Sequence, residues 1–299
     1  MRRIAGALLL LTLHLSPFTR VTAVSAQIPY DTLTADSLAQ DTVDNTARFL
    51  AAQQDVAIRV PVMPWPGVTG PAPALTRIVF NRDSIEWANA ATLGDLLLEV
   101  PGIYIWRGGF IGRPEPVNYQ GRGATSVEYY LDGLPYVAAG VDSIAVDPAL
   151  FAITLLDRVE VERWPGLLRV HLFTRRHDRL ASRSRVGVAT GDRDYSRYDG
   201  AFERRTRSGI GFGLAADYLS SPTSSGANSD YSNTQVWAQG NYVPSAKVGL
   251  QYQLVRSHPD RQAFVSDVVA NDTIGLGFDA TRTDAQVRLA LRSRPDGLG

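Results

Sequence analysis

Cysteine is absent from the 299 residues, so neither a disulfide framework nor a thiolate metal site contributes to this chain. Excess charge is absent too: Lys+Arg and Asp+Glu both number 30, which removes the electrostatic signature of a nucleic-acid binder. Lysine is nearly missing, Lys247 being the only one. Of the four histidines, His14 lies in an N-terminal apolar run, and His171, His177 and His258 lack metal-ligand spacing. There is no Gly-x-Ser-x-Gly elbow and no Gly-x-x-x-x-Gly-Lys phosphate loop. Asp142 and Asp147 could contribute to a calcium site, but isolated acids in such a stretch read as flexible surface carboxylates. These absences argue against an enzyme and imply no cofactor or metal. No internal stretch is long and apolar enough for a spanning helix, which needs about 20 residues.

The chain does carry an export pattern. Arg2 and Arg3 precede an apolar run over residues 4–15, too short to span a bilayer, and Val24, Ser25 and Ala26 follow at the spacing a signal peptidase reads. The pattern predicts a signal peptide over residues 1–26; an uncleaved anchor is the alternative.

Residues 27–74 show no sustained periodicity. Scattered aspartates give way to Pro61, Pro64, Pro66, Pro71 and Pro73, which predicts an extended, mobile tether. Residues 75–176 then read as a compact α+β unit. A short strand at 77–80 leads to a helical turn opened by Asp83. Thr92, with Asp95 three residues on, predicts a capped helix whose Leu93, Leu96, Leu97 and Val100 share one face. Pro101-Gly102 ends it, and strands follow at 103–105, 127–131 and 158–163, with an Asp132-Gly133 turn after the second.

After about Arg183 the texture becomes strictly alternating. Tyr198, Gly200 and Phe202 interleave with polar residues, as do Ile210, Phe212, Leu214, Ala216 and Tyr218, and then Val248, Leu250, Tyr252 and Leu254. Gly209, Gly211 and Gly213 read as one small-residue face of a strand. Period-2 segments of about 9–11 residues are the length a tilted strand needs to cross a bilayer. Tight connections at residues 206–209 and 244–245 alternate with a long polar one at 220–233, as at the two ends of an outer-membrane barrel. A soluble antiparallel sandwich alternates in the same way.

Residues 77–163 resemble the plug domain of TonB-dependent outer-membrane receptors. The family's helix running into Val-Pro-Gly and a strand is matched by Thr92-Leu93-Gly94-Asp95-Leu96-Leu97 and Val100-Pro101-Gly102-Ile103. Its Arg-Gly, apolar strand and Asp-Gly-x-Pro are matched by Arg122-Gly123, residues 127–131 and Asp132-Gly133-Leu134-Pro135. Its Arg-Ile-Glu-Val strand is matched by Arg158-Val159-Glu160-Val161. Trp164-Pro165-Gly166 replaces the usual Gly-Pro, and the plug's last turn looks shortened.

The resemblance implies an α+β plug over residues 75–176, followed at 183–299 by the first antiparallel transmembrane strands of an incomplete outer-membrane barrel. A full barrel of the family has about 22 strands, so the chain is expected to be the front portion of a longer receptor or a truncated product. The implied function is ligand-gated active uptake at the cell outer membrane, powered by the TonB energy-transducing protein, with outer-membrane lipid as surroundings. The ligand class, whether siderophore, cobalamin, glycan or peptide, stays open. The apical loop with Trp106, Arg107, Phe110 and Arg113 corresponds to a ligand-facing plug loop. Arg122 and Glu160 correspond to plug charges that face the barrel wall. Thr32, Leu33 and Thr34 lie in a TonB-box candidate. The rival reading is a non-transporting secreted plug-like binding or adhesion module.

Overall fold

The computed structural model describes residues 48, 50, 58–66, 77–88, 90–106, 115–138, 145–191, 194–221, 230–267 and 272–292; in strand residues 262–276 it describes the backbone only. The signal-peptide and TonB-box positions lie outside the described residues. All elements below belong to the unit Phe49–Gly299.

The first layer is a five-stranded sheet with two short helices. Strand β1 (Arg77–Asn81) runs into α1 (Arg82–Trp87), where the Asn81 side chain accepts from the Ser84 amide at 2.8 Å and so satisfies a free helix-end donor. Helix α2 (Leu93–Leu97) starts at a reciprocal Thr92–Asp95 capping box. Its Leu93, Leu96 and Leu97 are fully buried, and Val100 just beyond it nearly so. Strands β2 (Ile103–Ile105) and β3 (Val117–Tyr119) pair only with each other. Then come β4 (Val127–Leu131), β5 (Leu134–Tyr136), β6 (Leu156–Trp164) and β7 (Leu167–Thr174).

The sheet order is β1-β6-β7-β4-β5, with β4 and β7 parallel and the other pairs antiparallel. Asp132 and Gly133 join β4 to β5 with φ of 47° and 85°, the left-handed geometry that a two-residue hairpin turn requires. The shortened last turn resolves as a tight β6–β7 hairpin through Pro165 and Gly166, whose φ is 74°. Val159, Val161, Leu168, Val170 and Leu172 pack against the leucines of α2 to make the core.

The second layer is an antiparallel wall of β8 (Arg183–Thr190), β9 (Ser196–Arg205), β10 (Ile210–Ser221), β11 (Tyr231–Ser245), β12 (Val248–Asp267), β13 (Asp272–Asp279) and β14 (Arg282–Leu291). The first half of β12 pairs with β14 and the second half with β13, so the last two strands act as one strand interrupted at Ala280 and Thr281. Strand β11 continues through Pro244 and Ser245, and the connection falls one step later, at Ala246 and Lys247. Gly209 belongs to the β9–β10 turn, with φ of 89°, and only Gly211 and Gly213 sit on the strand.

Successive residues of a strand point to opposite faces, and here the two faces differ in chemistry. Outward are Val188, Tyr198, Phe202, Leu214, Tyr218, Tyr242, Leu250, Tyr252 and Leu289, all substantially exposed. Inward are buried polar groups: Arg197, Glu203, Arg205, Asp217, Asn233, Gln235, Gln251 and Gln253. A soluble sandwich would bury its apolar face; this wall presents that face outward and covers its polar face with the first layer, the expected plug.

Candidate functional site

The functional geometry lies in the seam where the plug meets the polar face of the wall. Near β9 it is ionic. Arg175, just past β7, donates through Nη2 to Glu203 Oε2 at 3.0 Å and through Nη1 to the Thr154 carbonyl at 2.9 Å. Arg82 of α1 approaches the same Glu203 oxygen at 3.6 Å and pairs closely with Asp157 of β6. Two cations and two anions thus share one desolvated pocket, the condition under which buried charges are tolerated. Burial pushes the Asp157 carboxyl above its ordinary range, against the opposing pull of Arg82.

A second grip involves Arg197 and Asp217 on adjacent wall strands, 2.9 Å apart. Arg197 donates to the Ala91 carbonyl at 2.9 Å, and Thr154 donates to Asp217 at 2.5 Å. The wall's own ion pair therefore holds two plug segments. At the α1 edge, Glu86 receives Arg183 and Arg185, each at 3.0 Å.

Toward β11 and β12 the seam becomes mostly amide. Gln235 accepts from the Ala152 amide at 3.1 Å and donates to the Leu150 carbonyl, which also receives Asn233 at 3.2 Å. Asp132, in the β4–β5 turn, is 4% exposed. Its carboxylate accepts from the Thr174 amide at 3.1 Å, the Thr174 hydroxyl at 2.8 Å and the Gln253 side chain at 2.5 Å. Gln286 reaches the Asp132 carbonyl at 3.3 Å. Burial raises the Asp132 pKa, and the bonds from Gln253 and Thr174 oppose that shift.

Asp147 departs from its expected role as a flexible surface carboxylate. It caps the turn at Pro148–Leu150, accepts from the Glu115 and Ala149 amides, and pairs with Arg261 of β12 at 2.7 Å. Among the described residues, no cluster of three or more His, Cys, Asp or Glu side chains could hold a metal ion.

Of the site residues read from sequence, Trp106, Arg122 and Glu160 lie among the described residues. Glu160 is buried, but its partners are Arg158 at 2.5 Å and Arg77 at 3.5 Å, both in the plug sheet. Arg122 lays its guanidinium over Gly166 in the β6–β7 turn, 2.6 Å from where a Cβ would stand. Among the described residues, the contacts of these two lie within the plug rather than against the wall. β1 and β6 are paired neighbours in the plug sheet, which puts Arg77 within reach of Glu160. Trp106, at the end of β2, is 66% exposed; Arg107, Phe110 and Arg113 lie outside the described residues, as do Thr32, Leu33 and Thr34. Among the described residues, the plug charges that pair with the wall are Arg82, Glu86, Asp132, Asp147 and Arg175, and of these only Asp132 sits in a motif read from the sequence.

Comparison with known proteins agrees with this geometry. The family model described as TonB-dependent Receptor Plug Domain matches residues 73–168. Among solved structures, the complex of FpvAI with pyocin S2 is similar with a TM-score of 0.54 and 15% identity, over 64% of this chain and 26% of that one. The copper transporter OprC is similar at 0.53 and 14%, over 64% of this chain and 32% of that one. P. aeruginosa FpvA bound to heterologous pyoverdines is similar at 0.53 and 14%, over 65% and 26%. The chain therefore spans between a quarter and a third of the length of these structures, and at such identities the likeness is one of fold. The matched family is one of receptors that transport, not of enzymes. Residues 73–168 match the plug domain of TonB-dependent receptors, and the described residues have the fold of such a plug set against part of a β-barrel.

Proposed function

We propose that this chain is the plug and leading wall of an outer-membrane receptor that takes up a scarce ligand by TonB-driven displacement of the plug. The observation that carries this reading is the pairing of a polar, hydrogen-bonded seam on one face of the wall with an apolar band on the other. The band follows the course a bilayer would impose. Strand register sets Phe202, Leu214, Ala238 and Leu254 side by side across β9 to β12. On β9 that row is the lower end of the outward apolar run, since the exposed Arg204 comes next; on β12 it is the upper end, since the exposed Arg256 lies beyond. The centre of the band thus slides by about five residues, roughly 17 Å, over three strand spacings of roughly 14 Å in all. A level band requires strands tilted by about 50°, close to the ~45° of a transmembrane β-strand.

This supports lipid as the neighbour of the outward face, and the outer membrane as the location, over a secreted soluble module. The apical loop with Trp106, Arg107, Phe110 and Arg113 is the proposed ligand contact, its arginines and aromatics suiting an anionic or aromatic ligand. OprC, a copper transporter, and FpvA, which binds pyoverdines, share this fold, and metal-linked cargo is the proposed ligand class. The TonB-box candidate around Thr32, Leu33 and Thr34 is the proposed handle. Deleting residues 31–35 in the full-length receptor is expected to leave ligand binding by whole cells intact and reduce uptake to background. Loss of both together would overturn the handle assignment, and unchanged uptake would place the handle elsewhere.

A further inference from the structure

Residues 58–66 read as tether by composition, yet they form a packed strap. Met63 is 3% exposed. Its sulfur occupies the space over Gly249 of β12, where any Cβ would collide with it, next to Val243 of β11. Trp65 lies 5.1 Å from the Phe173 ring of β7, and the Arg176 guanidinium stacks 4.0 Å from the Trp65 centroid. Arg176 also donates to the Met63 carbonyl at 3.3 Å, and the Val60 amide donates to the Asp178 carbonyl at 2.8 Å. Pro66 closes the far end: a Cβ on Gly133 would stand 2.6 Å from the Pro66 Cβ.

The strap therefore touches the wall, the end of β7 and the β4–β5 turn together. That turn carries Asp132, whose carboxylate joins plug to wall through Gln253. We infer that residues 58–66 are a latch over this junction: with Met63 seated on Gly249 and Pro66 on Gly133, the turn holds Asp132 against Gln253, and lifting the strap releases it. The anchors suit the task. A methionine thioether and an arginine–indole stack are held by dispersion and cation–π attraction, which add many small contacts without a deep ionic trap. The strap precedes β1 in the chain, so tension applied from the N-terminal side reaches it before any plug strand. Only the source of that tension rests on the transport reading; the mechanical link can be tested without transport.

These 299 residues hold no cysteine, so two introduced thiols can be followed in their own peptides. In the full-length protein in detergent micelles, the double variant Met63→Cys/Gly249→Cys is expected to form a disulfide on oxidation, detected by loss of thiol labelling. Hydrogen exchange of peptides containing Asp132 and Thr174 is then compared in the oxidised and reduced forms. The latch predicts exchange about tenfold faster in the reduced form, with the centre of β6 and β7 unchanged. The Met63→Ala/Trp65→Ala variant should match the reduced form. Failure of the disulfide to form, equal exchange at Asp132 and Thr174 in both forms, or an equal rise across β6 and β7 would each overturn the latch. None of these outcomes bears on ligand uptake, which the handle deletion tests separately.

Discussion

Arg175 and Glu203 stand 3.0 Å apart with each side chain 2% exposed, one contributed by the plug and the other by the wall. Neither is fully satisfied: among the described residues, Arg175 Nε and Glu203 Oε1 are buried without a hydrogen-bond partner. The pair thus owes its persistence to mutual neutralisation more than to an ideal bonding pattern.

That balance fixes the outcome of substitution. Arg175→Met alone strands Glu203 as a buried charge beside Arg82 and is expected to cost about 3–5 kcal/mol. Arg175→Met combined with Glu203→Gln removes both charges and should recover at least half of that loss. Thermal unfolding of the four proteins of this double-mutant cycle in detergent gives the coupling. Additive losses would show that the two residues do not act as a pair.

A pH effect is expected from His171 in β7. Burial holds its imidazole below the ordinary histidine range, against the pull of Glu162 and Glu160. Tyr130 stacks on the ring at 4.9 Å, and Arg77 adds positive charge nearby. As pH falls below about 6.5, the unfolded chain takes up a proton that the folded plug resists. This contribution to stability is complete above the unfolded-state pKa and lost below it. Unfolding measured at pH 7.5 and pH 5.5 should show a larger acid loss for the natural protein than for His171→Gln; equal losses would remove His171 as the cause.

The outward face offers a sharper choice between lipid and water. Leu214 is 54% exposed in the middle of the apolar band. Leu214→Arg should cost about 2–4 kcal/mol if that position meets the bilayer midplane, and it should deplete the protein from the outer-membrane fraction. A soluble sheet would accept an exposed arginine there almost without change, and fractionation on a sucrose gradient distinguishes the two.

Ligand recognition is expected to concentrate in the loop after β2. Trp106→Ala combined with Arg107→Ala should weaken ligand binding by whole cells about tenfold or more, the effect of losing one aromatic and one charged anchor. The melting temperature should barely move, since Trp106 lies in solvent. Unaltered affinity would assign recognition to the wall loops.

Much of the plug was legible in the sequence because its signals are local. The Thr92–Asp95 capping box, the leucines of α2 and the Asp132-Gly133 turn each declare themselves within a few residues, and the structure places each as read. Period-2 alternation likewise revealed the wall strands. What could not be read were pairings that exist only once plug and wall dock. Nothing near Asp147 announces Arg261, which lies 114 residues away, and nothing near Glu160 favours Arg77 over a wall residue. Residues 58–66 are the clearest case. Proline-rich composition reports that a segment cannot make regular secondary structure, and it is silent on whether Met63 finds a recess to fill.

On the proposed transport reading, the amides along β11 and β12 have a consequence for displacement of the plug. A glutamine or asparagine carries donor and acceptor on one rotatable group, so each bond it gives up to the plug can be remade with water at little net loss. An oily lining would have to be wetted against the hydrophobic effect, and a lining of fixed ions would hold its partner too firmly. Asn233, Gln235 and Gln253 instead give that stretch of the wall a surface equally at home against protein or solvent, behaving like a lubricated bearing rather than glue.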